Sequence, residues 1–168
     1  MIFINKVNLD DVVKEYLFIT DLPVNENGFT NSYYGISKEE FCTKTIYQII
    51  NYSEGKDLPA GYVPETYFFL WDDDCIVGLF RIRHFLNDFL KNGAGHIGYG
   101  IHKDYRGRGY ATKGLALAIE EAKKIIPEDE IYMSVNINNI ASLRVQEKNG
   151  AYIHHSDERE HYTRIKIR

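Results

Sequence analysis

Arg106-Gly107-Arg108-Gly109-Tyr110-Ala111 lies between a strand pattern and a helix pattern, and no other stretch of this sequence limits the fold so tightly. Upstream, His96 to His102 alternates Ile97, Tyr99 and Ile101 with Gly98 and Gly100, so that two glycines share one face of a β-strand. Downstream, Leu115, Ala118, Ile119, Ala122, Ile125 and Ile126 recur at helical spacing until Pro127 ends the run. A strand that turns through glycines straight into an amphipathic helix belongs to α/β architecture. The turn also aims unpaired backbone N–H groups and the positive end of the helix dipole at one point. That is an anion socket, strengthened by Arg106, Arg108 and Lys113, and the bare Gly107 and Gly109 leave room for a pyrophosphate.

Several other readings of this turn are weaker. A dinucleotide fingerprint needs Gly or Ala where Thr112 stands, and an acidic residue at the end of the following strand, which is missing. A P-loop needs Gly-Lys-Ser/Thr after a four-residue spacer, which is absent. A bare tight turn with incidental arginines is the remaining alternative.

The rest of the chain fits one domain over residues 1–168. Its 168 residues can bury a core without disulfides, and its 44% hydrophobic and 26% charged content is that of a folded globular protein. A net charge of -4 gives no positive field for a polyanionic backbone, so nucleic acid is not expected as a partner. Cys42 and Cys75 form neither a zinc framework nor a disulfide scaffold, and no metal site is expected. No leader and no run of 18 apolar residues is seen, which suggests a cytoplasmic protein with no membrane partner. Met1 to Val7 reads as a strand, and Asp10 as the cap of a helix through Leu17. Asp21 to Ile36 reads as loop, and Ser37 with Glu40 as a capping box for a helix to about Tyr52. Thr66 to Trp71 and Ile76 to His84, joined by Asp72-Asp73-Asp74, read as a β-hairpin with one solvated face. After the central helix come a strand at Ile131 to Val135, a helix at Ala141 to Asn149 closed by Gly150, and a final hairpin of Tyr152 to His155 and Tyr162 to Ile167.

Arg106, Gly109 and Ala111 match the Arg/Gln-x-x-Gly-x-Gly/Ala motif of the GCN5-related N-acetyltransferases (GNAT), which the sequence resembles. A second segment, Asn139-Ile-Ala-Ser142 followed by Glu147-Lys-Asn-Gly150, resembles that family's Asn-x-x-Ser…Glu-Lys-x-Gly unit and falls in the expected order. Leu58 to Pro64, Ile82 to Asn87 and Gly95 to Tyr99 resemble a subgroup of bacterial GNAT acetyltransferases. The resemblance implies a GNAT-like α/β fold: a mixed, mostly antiparallel sheet with helices on both faces. It further implies acetyl-CoA as donor and direct transfer to a primary amine of a small-molecule or peptide acceptor, with a homodimer left open. The backbone from Arg106 through Gly107, Arg108, Gly109, Tyr110, Ala111 and Thr112 would cradle the pyrophosphate, and Gly100 and Ile101 would pair with the pantetheine. Asn139 would touch the CoA arm, with Ser142 either near it or capping the helix, and the glycines at 98 and 100 would fit a bulge that receives the acetyl carbonyl.

Family members often carry a Tyr four residues before the glycine that closes the last helix, and here that position is Gln146. Tyr132, Tyr152 or water would then supply the acid. His84, His96, Tyr99 and His102 are candidates for the base, since alternation groups His96 and His102 with the two glycines and histidine titrates near neutrality. An acyl-CoA-binding sensor or regulatory module without turnover is the alternative that Gln146 favours. His154, His155 and His161 read as hairpin residues rather than metal ligands, because neighbours on a strand point to opposite faces.

Overall fold

The computed structural model describes all 168 residues. Its first half contains β1 (Ile2–Lys6), α1 (Val12–Asp21), a two-residue pair β2 (Asn25–Glu26) and β3 (Phe29–Thr30), then α2 (Lys38–Glu40). A π-helical turn over Phe41–Thr45 runs on into α3 (Ile46–Ser53). Next come β4 (Glu65–Asp72), β5 (Cys75–Arg83), α4 (Asp88–Lys91) and β6 (Ile97–Ile101). After a 3-10 turn at Lys103–Tyr105 the chain ends with α5 (Tyr110–Ile125), β7 (Glu130–Asn136), α6 (Ile140–Lys148), β8 (Tyr152–Ser156) and β9 (Glu160–Lys166).

Aromatic and β-branched residues dominate β4 and β5, which favours extended backbone between packed layers. They sit centrally in an antiparallel sheet of order β1-β4-β5-β6, while β7-β9-β8 form a second antiparallel sheet. On one face, Leu70, Phe80 and Ile82 pack against Leu115, Ala118 and Ala122 of α5. On the other, Phe69 and Leu79 meet Phe18 and Ile19 of α1 and Ile46 and Ile49 of α3. Helices therefore cover both faces, and the hairpin that alternation suggested would be half solvated is buried on both sides from Thr66 to Trp71 and from Ile76 to Ile82. A near-continuous apolar run is what a doubly covered strand needs.

Local capping also differs from expectation. Asp11, not Asp10, precedes α1, and its N–H is held at 2.9 Å by the Asn8 side chain. Ser37 Oγ does accept from the Glu40 N–H at 3.1 Å, but the Glu40 carboxylate makes no reciprocal bond. The stretch read as loop contains the β2–β3 pair, turned by Asn27 and Gly28 at positive φ. In β8 the register shifts between Ile153 and His155, and that irregularity brings the adjacent His154 and His155 rings together, with Nδ1 atoms 2.9 Å apart, instead of on opposite faces. No helix is long and apolar enough to cross a membrane.

The two sheets touch at one place. Gly95 bridges Met133, and the His96 N–H donates to the Tyr132 carbonyl at 2.7 Å. A Cβ on Gly95 would stand 2.1 Å from that carbonyl oxygen, so only glycine permits the junction. Beyond it β6 and β7 share no ladder, and the sheets part.

Candidate active site

The parting leaves one edge of β6 open. Against β5, Arg83 N–H bonds the His96 carbonyl and His102 N–H bonds the Val77 carbonyl, with Arg81 opposite Gly98 and Leu79 opposite Gly100 between them. In an antiparallel ladder this parity turns the main-chain groups of Gly98 and Gly100, with the His96 carbonyl and the His102 N–H, toward β5. Those of Ile97, Tyr99 and Ile101 therefore face away, toward the gap. The Ile101 carbonyl is taken by Arg106 Nε at 3.0 Å, leaving the Tyr99 N–H and carbonyl and the Ile101 N–H as an unpaired edge. The β5–β6 register runs without a shift, so the expected bulge is absent. The Phe29 ring packs over Gly98 and Gly100, its carbons 3.9 and 3.5 Å from where their Cβ atoms would stand, at ordinary contact distance.

At the far end of β6 the glycine turn takes the shape its sequence suggests. Gly107 and Gly109 have φ of 76° and 80°, and Gly109 directly precedes α5. The Lys113 N–H is the first to bond within the helix, to the Gly109 carbonyl at 3.1 Å, so the N–H groups of Gly107, Arg108, Gly109, Tyr110, Ala111 and Thr112 have no partner in the protein. These six consecutive donors, at the positive end of the helix dipole, are what an anion could accept from. The arginines divide in role. Arg106 is occupied: besides the Ile101 carbonyl it pairs with Glu26 Oε1 at 2.5 Å, tying the turn to the β2–β3 pair. Arg108 is exposed beside the Tyr105 ring and is paired with no acid.

Facing the gap from the second sheet is α6. Asn139 caps it, its Oδ1 accepting the Ser142 N–H at 3.2 Å, so capping falls to Asn139 and not to Ser142. Ser142 Oγ meets the Tyr99 hydroxyl at 2.7 Å. Gln146 is buried one turn further on beside that phenol and accepts from Thr163 Oγ1 at 2.7 Å. Burial raises the Tyr99 pKa above its ordinary value, so the phenol is an O–H donor at neutral pH. Its ring stacks on Phe80 at 5.3 Å, which fixes its direction.

The histidines separate. His96 is fully buried, with Nε2 3.0 Å from Glu128 and Nδ1 accepting the Tyr132 N–H at 2.9 Å. Burial lowers its pKa against the pull of Glu128. Both nitrogens are used at the sheet junction, and His96 is a structural pin with no free nitrogen to act as a base. His102 is likewise engaged, by Asp21 at 2.6 Å and by the Asp104 N–H at 3.3 Å. His84 faces Thr66 Oγ1 through Nε2 at 2.7 Å, and its Nδ1 has no partner. Its pKa is lowered chiefly by burial, with Lys6 adding repulsion. Tyr132 lies under Arg164 and the Tyr152 hydroxyl binds Glu130 at 2.5 Å, so both are engaged elsewhere.

The fold and this site together define an α/β class with a glycine turn at a helix N-terminus beside an open strand edge. Residues 27–152 match the model of the acetyltransferase (GNAT) domain, and the chain belongs to that family of N-acetyltransferases. Among solved structures, a GNAT-family acetyltransferase from Streptococcus pneumoniae is 16% identical, with 99% of each chain covered and a TM-score of 0.67. A ribosomal L7/L12 α-N-protein acetyltransferase in complex with coenzyme A is 13% identical, with 99% of this chain and 94% of that one covered and a TM-score of 0.67. A ribosomal-protein-S5-alanine acetyltransferase from Vibrio fischeri is 14% identical, with 98% and 92% covered and a TM-score of 0.66. No curated protein sequence matches this chain.

Sequence reasoning missed Phe29, Glu26 and Arg81. The first two lie in a stretch with no periodicity to read. Arg81, however, is a lone charge inside the apolar run Ile76 to Ile82, and that signal was present.

Proposed function

We propose that this chain moves an acetyl group from acetyl-CoA directly to a primary amine. The six unpartnered N–H groups from Gly107 to Thr112 carry this reading, because a pyrophosphate supplies the acceptors they lack. Arg108 adds charge there. The Tyr99 main chain and the Ile101 N–H pair with the pantetheine amides as an added strand would, with Gly100 between them bonded back to β5. Asn139, whose Nδ2 is unpaired, faces the CoA arm.

When bound, acetyl-CoA supplies the activated carbonyl. The amine nitrogen attacks the carbonyl carbon, the carbon–sulfur bond breaks, and the sulfur takes a proton that Tyr99 donates from its phenol. That phenol sits against α6 beside Gln146, filling the role of the tyrosine that family members often carry there. The amine proton leaves to solvent through the gap between the sheets; among His84, His96 and His102 only His84 keeps a ring nitrogen unpaired, and it stands beyond Arg83 at the end of β5, away from Tyr99.

Calorimetric titration with acetyl-CoA, CoA and NAD side by side tests the donor. Micromolar binding of both CoA species without NAD is expected, followed by thiol release with an amine panel. Binding without thiol release would favour a sensor module, and no binding of CoA would leave the loop a simple turn.

A further inference from the structure

Arg81 projects from β5 onto the face of β6 that carries Gly98 and Gly100, opposite the face of Tyr99. It is 9% exposed, its Nε is buried without a partner, and no carboxylate stands within ion-pair distance of it. The acids nearby are already committed: Glu65 to Arg83 at 3.3 Å, and Glu26 to Arg106. Its guanidinium carbon lies 4.3 Å from the centre of the Phe29 ring, with the centre of the Tyr67 ring 5.9 Å away. Together with Asn31 and Tyr33 these residues line a narrow, partly open cleft. A buried guanidinium lacking a counter-charge is costly unless something supplies one.

We infer that Arg81 is a specificity-determining residue that binds a carboxylate on the acceptor, so that the acceptor is an amino acid or another amine with a carboxylate a few bonds from its nitrogen. The position supports this, since Arg81 Nη2 lies 3.8 Å from where a Gly98 Cβ would stand, one residue from the open Tyr99 edge. A carboxylate on Arg81 therefore leaves an amine close to the strand edge where the thioester would lie. The lone positive charge opposes polyamines, and a flat guanidinium fork matches the two oxygens of a carboxylate. This inference rests on the acetyl-transfer reading for the fate of the amine, though not for the anion site.

The test uses matched pairs: amino acids of increasing chain length and their carboxamides, with phosphoethanolamine and spermidine alongside. Thiol release from acetyl-CoA is measured for each, and so is binding of each to the CoA-saturated protein by calorimetry. The carboxylates are expected to exceed their amides in kcat/KM by about 10- to 150-fold, as for a hydrogen bond to a charged group. Arg81→Met should erase that preference through KM while leaving CoA affinity unchanged. Equal use of acids and amides by the wild-type protein, or a preference for spermidine or phosphoethanolamine, overturns the inference, and this comparison needs no variant to fold. Carboxylates that bind without any thiol release would keep the anion site and remove the acetyl-transfer reading. Absence of both binding and turnover for every carboxylate would remove the inference.

Discussion

Tyr99 sits where two needs meet: its ring packs on Phe80, and its hydroxyl leaves the core to meet Ser142. Tyr99→Phe keeps the ring and removes the proton. Acetyl-CoA affinity should hardly change while kcat falls by about 100-fold or more, the range for losing a positioned general acid. An unaltered kcat would move the acid to solvent. Gly109 makes the complementary case, since a Cβ there meets no protein atom yet φ is 80°. Gly109→Val should cost about 1 to 2 kcal/mol of stability from the left-handed backbone alone. It should also put a side chain where the pyrophosphate belongs, so CoA affinity should drop by more than the strain explains. Affinity by calorimetry and stability by urea melting separate the two. Gly109 was legible in the sequence because its demand is local, whereas the Tyr99–Ser142 contact spans 43 residues and needed the fold.

Helix α5 approaches the sheet through a gap left for it. A Cβ on Gly114 would lie 2.4 Å from Phe80 Cζ and 2.9 Å from Leu70 Cδ2, and Phe80 cannot retreat because Tyr99 is stacked behind it. Gly114→Ala gains about 1 kcal/mol of helix propensity. The overpacking, about 1 to 3 kcal/mol, outweighs that gain. The urea midpoint should therefore fall, and kcat with it as Tyr99 is displaced; a rise in stability would show that the layers are more yielding. At this scale the long periodic elements were readable: the central helix, the strand pair at its core and the closing hairpin. What periodicity could not give was environment. Alternation in β4 and β5 suggested a wet face although their polar residues are few and mostly terminal, and nothing local told of α1 and α3 covering it. The glycine turn proposed for CoA was visible for the same reason that the proposed acceptor cleft was not: one is written in glycines, the other assembled from Phe29, Tyr67 and Arg81 on three strands.

Across the molecule, two buried titratable groups pull stability in opposite directions with pH. Burial raises Glu15 from its ordinary 4.5 to about 8, against the helping N–H of Asn8. Between those values the folded state holds a proton that the unfolded chain has released, so stability declines as pH rises from about 4.5 to about 8 and is level beyond. His96 acts from the other side. Its folded pKa lies below the ordinary 6.5, so the unfolded chain binds the proton first and stability declines as pH falls below 6.5. Glu128, held low by the Leu86 N–H and by His96, adds to that acid loss, since its stabilisation disappears as pH drops through its folded value. Between about pH 4.5 and 6.5 the Glu15 and His96 slopes oppose each other, so the profile should be nearly level there, fall toward pH 8 on an alkaline shoulder set by Glu15, and fall below about 4.5 on an acid shoulder set by the sheet junction. Glu15→Gln keeps the side-chain shape and the acceptor for Asn8 and removes the titration. Urea unfolding at intervals from pH 3.5 to 9 should show a variant that is more stable than wild type at pH 8 by about 1 to 5 kcal/mol, the upper end being the full shift. Below pH 5 the two should converge, and the acid shoulder should remain. If the alkaline shoulder survives the substitution, it belongs to another group, and Glu15 is charged in the fold after all.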